Sequence, residues 1–374
     1  MTRTDLPSLS TVVPPYLLNA IAENGATKFP KAAVAARSFL AQDQRVRELR
    51  AQGLRTSSDG ATARTVSADQ QAAGSGPNRQ VHDAQNKEDL PGVLARAEGD
   101  APVADEAVNE AYDGLGDSYV LFSEAFGRDS LDDNGMPLIA SVHYGQDYDN
   151  AFWDGRLLVF GDGDGEVFTS FTGSLSIIGH ELSHGVITNT ADLEYFDQPG
   201  ALNEHIADVF GALTEQHAAG QSAQDATWLI GAGIFTEAVT GKALRSMLEP
   251  GTAYDDDVLG KDPQPAHMDD FVTTESDNGG VHLNSGIPNR AFAVAATSLG
   301  GPAWETVGPV WYAVLTGPDI TTKTDFAEFA ALTVAEAAEQ FGEGSDVHDA
   351  VIEGWTTVGV DTGASQRGNR GSSW

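Results

Sequence analysis

The sequence has no cysteine, few basic residues and no long apolar run, and each absence narrows what the protein can be. Without cysteine there are no disulfides, no thiolate metal ligands and no cysteine nucleophile. Only 21 Lys and Arg stand against 55 Asp and Glu, a net charge of −34, which argues against nucleic acid as a partner because phosphates need a basic surface. No run approaches the roughly 18 apolar residues of a membrane helix, so no membrane partner is expected.

The N-terminus is a poor match to a secretory signal. Its apolar stretch, residues 12–22, is interrupted by Pro14, Pro15 and Asn19, whereas a signal needs an uninterrupted apolar region. The sequence therefore leaves the compartment open between the cytoplasm and export by an unconventional route.

Charge is distributed unevenly along the chain. Residues 1–65 contain nine basic and five acidic residues, a net charge of +4, and the rest of the chain carries −38. A basic leader can dock on an acidic body by charge complementarity. A basic, loosely ordered N-terminal arm would have the same composition.

Periodicity and composition divide the chain into four parts and predict an α+β fold. These are a prosegment with a cleavable linker (1–60), a strand-rich N-terminal lobe (61–190), a helical C-terminal lobe (191–361) and a polar tail (362–374). The linker composition extends over residues 52–78. Apolar spacing predicts helices at 16–22, 31–49, 104–126, 201–218, 289–298 and 325–341, and strands at 138–144 and 157–160.

The segment from Gly179 to Gly185 contains two histidines in the pattern His-Glu-x-x-His. On a helix, His180 and His184 stack on one face, so both imidazoles can bind one zinc ion. The apolar stripe around them predicts this helix, with Ser174 as a candidate cap. Glu181 adjoins a ligand and faces the same cavity, so it can act as general base on a metal-bound water.

A second helical pattern supplies a third ligand. Glu204 follows His184 by 20 residues and can complete a His₂Glu zinc site with one open position, as catalytic sites have. Asp208 lies one turn later and can accept the outer N–H of one ligand histidine, and Asn203 can serve the other. His205 points about 100° away from Glu204 and is not expected to bind the metal.

At this point the sequence resembles the thermolysin family from about residue 81 to residue 360. The resemblance implies a two-lobe metalloprotease with the zinc helix between the lobes, and extracellular action. The leader from Pro14 to Ile21 further resembles the short prosegment of the protealysin-like branch. The strings that carry the resemblance are Asn150 to Trp153, Gly161 to Gly165, the HELSH and GALNEHIAD segments, Leu244 to Met247, and Asp277 to Gly286.

The resemblance also assigns roles to residues outside the zinc motif. His282 would stabilise the developing oxyanion, Asp277 would orient its imidazole, and Tyr195 would be a second donor. Asn150 and Ala151 would bind substrate backbone along an edge strand, and Arg245 would hold a substrate carbonyl and the zinc-ligand carboxylate. Cleavage before a large apolar residue is implied by the pocket positions Phe168, Phe171, Ile177 and Leu244, which could equally be core.

Calcium is expected to be reduced or absent. The family's paired-calcium ligands are replaced by Ser176, Thr227, Leu229 and Ala232, leaving Glu215, and Lys242 stands where another calcium position has an acid. The run from Gly161 to Gly165 lacks an acid at the twelfth loop position, so a tight hairpin turn is expected there rather than an EF-hand loop.

Three hypotheses follow. The leading one is a zinc endopeptidase made as a zymogen, a monomer whose partners are its own prosegment and peptide or protein substrates. The second is a prosegment-inhibited protein that works by binding partners, with little protease activity. The third is a structural zinc protein, which the adjacent free carboxylate of Glu181 disfavours.

Overall fold

The computed structural model describes residues 10–51 and 76–363. Most of the predicted linker and nearly all of the predicted tail lie outside these ranges. None of the helices in the described ranges is long and apolar enough to cross a membrane.

The N-terminal segment forms a short strand and two helices, β1 (Ser10–Thr11), α1 (Pro15–Asn24) and α2 (Pro30–Ala51). Both helices confirm the sequence prediction. A proline opens α1, where its missing N–H has no intrahelical partner to lose. Leu17, Leu18 and Ile21 lie on one face of α1 and are fully buried.

A six-stranded sheet in the order β1-β5-β6-β4-β2-β3 builds the N-terminal lobe. β2 and β4 are parallel, as are β4 and β6, and the other pairs are antiparallel. The two predicted strands are confirmed as β4 and β6. The strands of the body are β2 (Arg79–Asp83), β3 (Val93–Ala97), β4 (Leu138–Val142), β5 (Ala151–Trp153) and β6 (Leu158–Phe160).

Helix α3 (Glu106–Phe126) crosses this sheet. The Asp105 side chain caps it by accepting from the Val108 amide, and Gly127, with φ 67°, ends it in the left-handed conformation. Gly114 lets α3 approach the following helix, because a Cβ there would lie 2.5 Å from Cδ1 of Ile178.

Helices α4 (Leu175–Thr188) and α5 (Asp197–Ala219) cross at the junction of the two lobes. Two glycines make the close crossing possible. A Cβ on Gly179 would lie 3.0 Å from Cα of Gly211, and a Cβ on Gly211 would lie 2.5 Å from the Ser176 carbonyl oxygen. The crossing brings the His-Glu-x-x-His face of α4 against Glu204.

The C-terminal lobe is helical, which confirms the α+β fold class. Its core contains the fully buried Trp311 and Trp355, stacked with ring centroids 5.9 Å apart. The remaining elements are the short strands β7 (Leu229–Ile230), β8 (Arg245–Ser246), β9 (Asp255–Asp256) and β10 (Gly260–Lys261), and the helices α6 (Asp277–Asn284), α7 (Gly286–Leu299), α8 (Val307–Thr316), α9 (Phe326–Phe341) and α10 (Asp346–Thr357).

One local prediction is wrong, and another is confirmed in position only. The run from Gly161 to Gly165 is not a hairpin, because β6 before it pairs with β4 and β5 and not with the segment that follows. The Asp164 carboxylate instead accepts from the Glu166 and Val167 amides and fixes a side-chain-mediated turn. Ser174 is the N-cap residue of α4, as predicted, but its hydroxyl contacts Ser176 Oγ and bonds no helix amide.

Candidate active site

The two histidines of α4 point at each other. His180 is fully buried and His184 is 2% exposed, and their Nε2 atoms are 3.0 Å apart. The Asp208 carboxylate lies 2.8 Å from His180 Nδ1, and the Asn203 side-chain carbonyl lies 2.9 Å from His184 Nδ1. These acceptors hold a proton on each Nδ1, so in the neutral rings the facing Nε2 atoms both present lone pairs.

Two lone pairs that face each other repel, and a cation between them would remove this repulsion. Glu204 contributes the third electron-pair donor. Its carboxylate oxygens lie 3.6 Å from His180 Nε2 and 3.5 Å from His184 Nε2. Potential ligand atoms of the three residues all lie within 4.8 Å of one another. Oε2 of Glu204 is buried without a hydrogen-bond partner among the described residues. The donor set and this orphaned oxygen fit a zinc ion.

Glu181 is fully buried next to this group, and both its carboxylate oxygens lack hydrogen-bond partners among the described residues. Burial, followed by the charge of Glu204, raises the pKa of Glu181 well above its usual range. A cation held by the neighbouring ligands would oppose that rise. Glu181, next to the ligand His180 in the sequence, thus has a buried carboxylate that is a candidate proton acceptor.

Arg245 lies behind the ligands and is also fully buried. Its Nε donates to Asp208 Oδ2 at 2.9 Å and its Nη2 to Asp208 Oδ1 at 2.8 Å. The expectation that it holds the zinc-ligand carboxylate is therefore not met, because the carboxylate it holds is that of Asp208, the partner of His180. Its Nη1 donates to the Val12 carbonyl oxygen of the same chain at 2.7 Å, and the expected contact with a substrate carbonyl stays a prediction.

The residues expected to stabilise an oxyanion lie beside the candidate metal ligands, with His282 Nε2 3.4 Å from Glu204 Oε2. His282 Nδ1 lies 2.6 Å from Asp277 Oδ1, and the His282 amide donates to the same carboxylate at 2.9 Å. Burial works against protonation, but the Glu204 and Asp277 carboxylates outweigh it and raise the pKa of His282 to about 9. The Tyr195 hydroxyl donates to Glu204 and lies 3.3 Å from His282 Nε2.

A left-handed turn makes the His282 arrangement possible. Asn278, Gly279 and Gly280 have φ of 49°, 84° and 82°, and they fold the chain so that the Asp277 carboxylate reaches His282. A side chain at Gly279 would be strained by its φ and would also press on the Asp197 backbone, 3.0 Å away.

The N-terminal segment runs through the cleft beside these residues. β1 pairs antiparallel with β5, and the Val12 amide donates to the Ala151 carbonyl at 3.1 Å. The Val13 amide donates to Asn150 Oδ1 at 2.9 Å. His282 Nε2 donates to the Thr11 carbonyl at 2.8 Å. Asn150 and Ala151, expected to bind substrate backbone, thus bind the chain's own backbone.

The four residues of the implied apolar pocket are fully buried. Phe168 and Phe171 have ring centroids 5.7 Å apart, and Leu244 and Ile177 both lie against Gly231. Full burial is equally expected of a core, so the specificity assignment stays a prediction.

The calcium expectation also stays a prediction. Ser176 Oγ accepts from the Gly231 amide, and burial raises the pKa of Glu215. Sequence reasoning missed Asn289, whose Nδ2 donates to Asp208 Oδ2 at 2.8 Å. No motif signals this contact, because it joins residues 81 positions apart.

Comparisons with known proteins agree with this geometry. Residues 51–188 match the family model for the catalytic domain of thermolysin metallopeptidase, and residues 191–360 match that for its alpha-helical domain. An extracellular metalloprotease of Pectobacterium carotovorum subsp. carotovorum is 52% identical over 284 residues, which cover 76% of this chain and 81% of the relative. Protease PrtS of Photorhabdus sp. (strain Az29) is 53% identical over 285 residues, 76% of each chain.

A solved structure extends the similarity to the N-terminal segment. The precursor of protealysin, a metalloproteinase from Serratia proteamaculans, superposes with a TM-score of 0.82 at 47% identity. The match covers 94% of this chain and 99% of that one. With both family domains matched in sequence and the His-His-Glu group assembled between them, the chain belongs to the thermolysin metallopeptidase family and is a metalloprotease.

Proposed function

We propose that this metalloprotease is a zinc endopeptidase made as a zymogen, which removes its own N-terminal prosegment and cleaves before large apolar residues. The observation that carries the proposal is the position of residues 10–13 in the cleft. They lie on β5 as an added antiparallel strand, the way an extended peptide joins a sheet edge. The Thr11 carbonyl receives the His282 hydrogen bond and the Val12 carbonyl receives that of Arg245.

His180, His184 and Glu204 would hold the zinc ion, which when bound polarises the scissile carbonyl and activates a water molecule. Glu181 takes the proton from that water and later gives it to the leaving amine. His282 and Tyr195 donate hydrogen bonds to the carbonyl oxygen as negative charge develops on it. Arg245, Asn150 and Ala151 fix the substrate backbone, so that the bond to be cut is held beside Glu181.

The prosegment strand also supports inhibition. Residues 10–13 make the backbone contacts proposed for substrate, and Val12 and Val13 are fully buried, so no peptide can use the same edge at the same time. The alternative, an inhibited protein that works only by binding partners, is not favoured, because its relatives at 52% and 53% identity are named as proteases. Those relatives include an extracellular one, and we propose the same location for this protein.

The test uses a quenched peptide with leucine after the scissile bond, together with mass spectrometry of the N-terminus. The wild type is expected to lose residues up to a point between about 50 and 78 and to cleave the peptide. Glu181→Gln should stay full length and inactive, because the water loses its base. Glu237→Gln makes the same change at an exposed carboxylate and should match the wild type.

Two results would count against the proposal. Full processing of purified Glu181→Gln would show that another protease removes the prosegment. Equal rates for peptides with leucine and with glycine after the scissile bond would contradict the apolar preference.

A further inference from the structure

Asp208, the partner of His180, is held by donors on both of its carboxylate oxygens. Its Oδ1 lies 2.8 Å from His180 Nδ1 and accepts from Arg245 Nη2 at 2.8 Å. Its Oδ2 accepts from Arg245 Nε at 2.9 Å and from Asn289 Nδ2 at 2.8 Å. A carboxylate has about four lone-pair positions, so those of Asp208 are all used. Among these three donor residues, Asn289 is the one without a role in the reaction proposed above.

The contacts of Asn289 fix the direction in which its amide points. The indole Nε1 of Trp311 can only donate, so His205 Nε2, 2.8 Å away, accepts and the proton of the imidazole is on Nδ1. That N–H donates to Asn289 Oδ1 at 2.8 Å. The amide oxygen is therefore bound to His205, and the NH₂ group faces Asp208.

Helix α7 holds this donor in place. Asn289 is fully buried, and its backbone amide donates to the Ser285 carbonyl at 3.0 Å. Gly354 lets α10 pack closely on α7, because a Cβ there would lie 2.3 Å from the Ala291 carbonyl oxygen. Side chains on packed helices are positioned more accurately than side chains on loops. The scaffold of the C-terminal lobe thus presents the Asn289 amide to Asp208.

Arg245 alone does not decide how the Asp208 carboxylate is directed. Its guanidinium binds both oxygens from one edge, which is a nearly symmetrical contact. Asn289 adds a donor on Oδ2, the oxygen that does not meet His180. The carboxylate is therefore held at both ends, with Oδ1 directed at His180 Nδ1.

We propose that Asn289 is a positioning residue for the metal centre, acting through Asp208 to set the orientation of the His180 imidazole. A ligand histidine whose outer N–H is held by an anchored carboxylate presents its inner lone pair to the ion in one direction. The inference rests on the proposed role of His180 as a zinc ligand. It adds a residue of helix α7 to those that determine zinc affinity.

A purely structural role is the competing explanation. Asn289 and His205 are both fully buried, and loss of either side chain leaves a buried polar group without a partner. The two explanations differ in what they predict for zinc. Positioning requires the donor on Asp208, whereas a structural role requires only that the core be complete.

The experiment measures zinc affinity and folding stability in the same full-length proteins. Every variant is placed on a Glu181→Gln background, so that processing does not change the chain, and the zinc dissociation constant is obtained by competition with a chromophoric chelator. Asn289→Leu should raise this constant by about 3 to 30-fold, less than the roughly 10 to 100-fold typical for loss of a direct partner. The matched control His205→Leu breaks the other contact of the same amide and should stay within about twofold of the parent. The denaturation midpoints of the zinc-free proteins should fall by similar amounts in both variants.

Equal rises in the zinc dissociation constant for Asn289→Leu and His205→Leu would assign the effect to the core and overturn the proposal. An unchanged constant in Asn289→Leu would also overturn it. Asn289→Val, which is smaller and equally lacks the donor, is measured in parallel in case the Leu variant does not fold.

The variant His180→Ala tests the proposed function separately. If it leaves zinc affinity unchanged, the assignment of the metal centre fails, and this inference fails with it. A large loss of affinity in His180→Ala, with no change in the Asn289 variants, would refute the positioning role alone.

Discussion

Helix α5 carries two buried polar residues side by side, Glu204 and His205, whose surroundings differ. His205 points into the C-terminal lobe, where its Nδ1 lies 2.8 Å from Asn289 Oδ1 and its Nε2 accepts from Trp311 Nε1 at 2.8 Å. Burial lowers its pKa to about 4, so it is neutral. Glu204 points toward α4, and its Oε2 accepts no hydrogen bond from any residue that the structure describes.

The difference teaches that burial alone does not identify a metal ligand. Both ring nitrogens of His205 are used within the protein, so it has no lone pair left for an ion. His180 and His184 each use only the outer nitrogen on an oxygen acceptor and keep the inner one directed at Glu204. On the His205 side of α5 every ring nitrogen has a hydrogen-bond partner, and we call this the finished side. On the Glu204 side the inner donor atoms lack partners until a cation binds, and we call this the incomplete side.

The largest effect is expected on the incomplete side. Glu204→Gln should reduce kcat/KM by about 10³-fold or more and lower the zinc content, because a neutral amide is a poorer ligand for a dication. Peptide cleavage and metal analysis of the same preparation check this. Stoichiometric zinc with undiminished activity would contradict the assignment of Glu204 as a ligand.

Asp208→Asn changes a residue that contacts the candidate ligand His180 and is not itself a candidate ligand. His180 would lose its anionic partner, which typically costs 10 to 100-fold in metal affinity or activity. Arg245 would also be left as a buried charge without its carboxylate, at a cost of about 3–5 kcal/mol in unfolding free energy. Chemical denaturation and kinetics measure the two effects separately.

The double variant Asp208→Asn with Arg245→Met separates the charge from the orientation of His180. It should recover part of the lost stability, because no unpaired guanidinium remains. It should not recover activity. Recovery of both would show that Asp208 acts only as a counter-ion.

On the finished side, His205→Leu should lower stability and spare catalysis. The buried Trp311 and Asn289 side chains would each lose a hydrogen-bond partner, at a combined cost of about 2–4 kcal/mol. The value of kcat/KM per folded molecule should stay within about threefold of wild type, since no ligand is touched. Loss of zinc in this variant would contradict the conclusion that His205 has a structural role separate from metal binding.

The smallest effect concerns His143, a half-buried histidine with both nitrogens on carboxylates, Asp162 at 2.8 Å and Asp105 at 2.9 Å. The hydrogen bond to Asp162, helped by Asp105, overcomes burial and raises the pKa of His143 to about 9. Because the folded pKa lies above the unfolded one, the stabilisation is complete below about pH 6.5 and disappears as the pH rises through about 9.

His143→Asn should therefore lower the unfolding free energy by about 1 kcal/mol at pH 6, a modest value because the carboxylates are partly exposed. The gap between wild type and variant should close at pH 10. Denaturant titrations at both pH values measure it, and a gap that does not change with pH would assign the effect to packing.

The sequence was enough to predict the side chains that helical spacing or a known motif places together. The stacking of His180 and His184 and the position of Asp208 one turn after Glu204 follow from the 3.6-residue period. Glu204 and its neighbour Asn203 were assigned from their place in a second helical pattern. The α+β class followed from the order of strand-like and helix-like segments.

Long-range contacts could not be predicted in this way. Arg245 was expected on Glu204 and lies on Asp208, because the choice between two neighbouring carboxylates depends on how β8 packs under α5. Strand β2 was missed because only Val81 among its five residues is fully buried, so apolar alternation is absent. Asp147 and Lys31, which form an ion pair across 116 positions of sequence, gave no joint signal.

The pairing of β1 with β5 has a consequence for the behaviour of the molecule in concentrated solution. With β1 in place, the Ala151 carbonyl has a backbone partner and this side of the sheet is covered. Without β1, β5 would become an outer strand with unpaired N–H and C=O groups, and such edges recruit strands from other molecules. The covering segment would thus also act against aggregation during the interval between folding and the first encounter with a substrate, and the three-residue length of β5 limits the hazard afterwards.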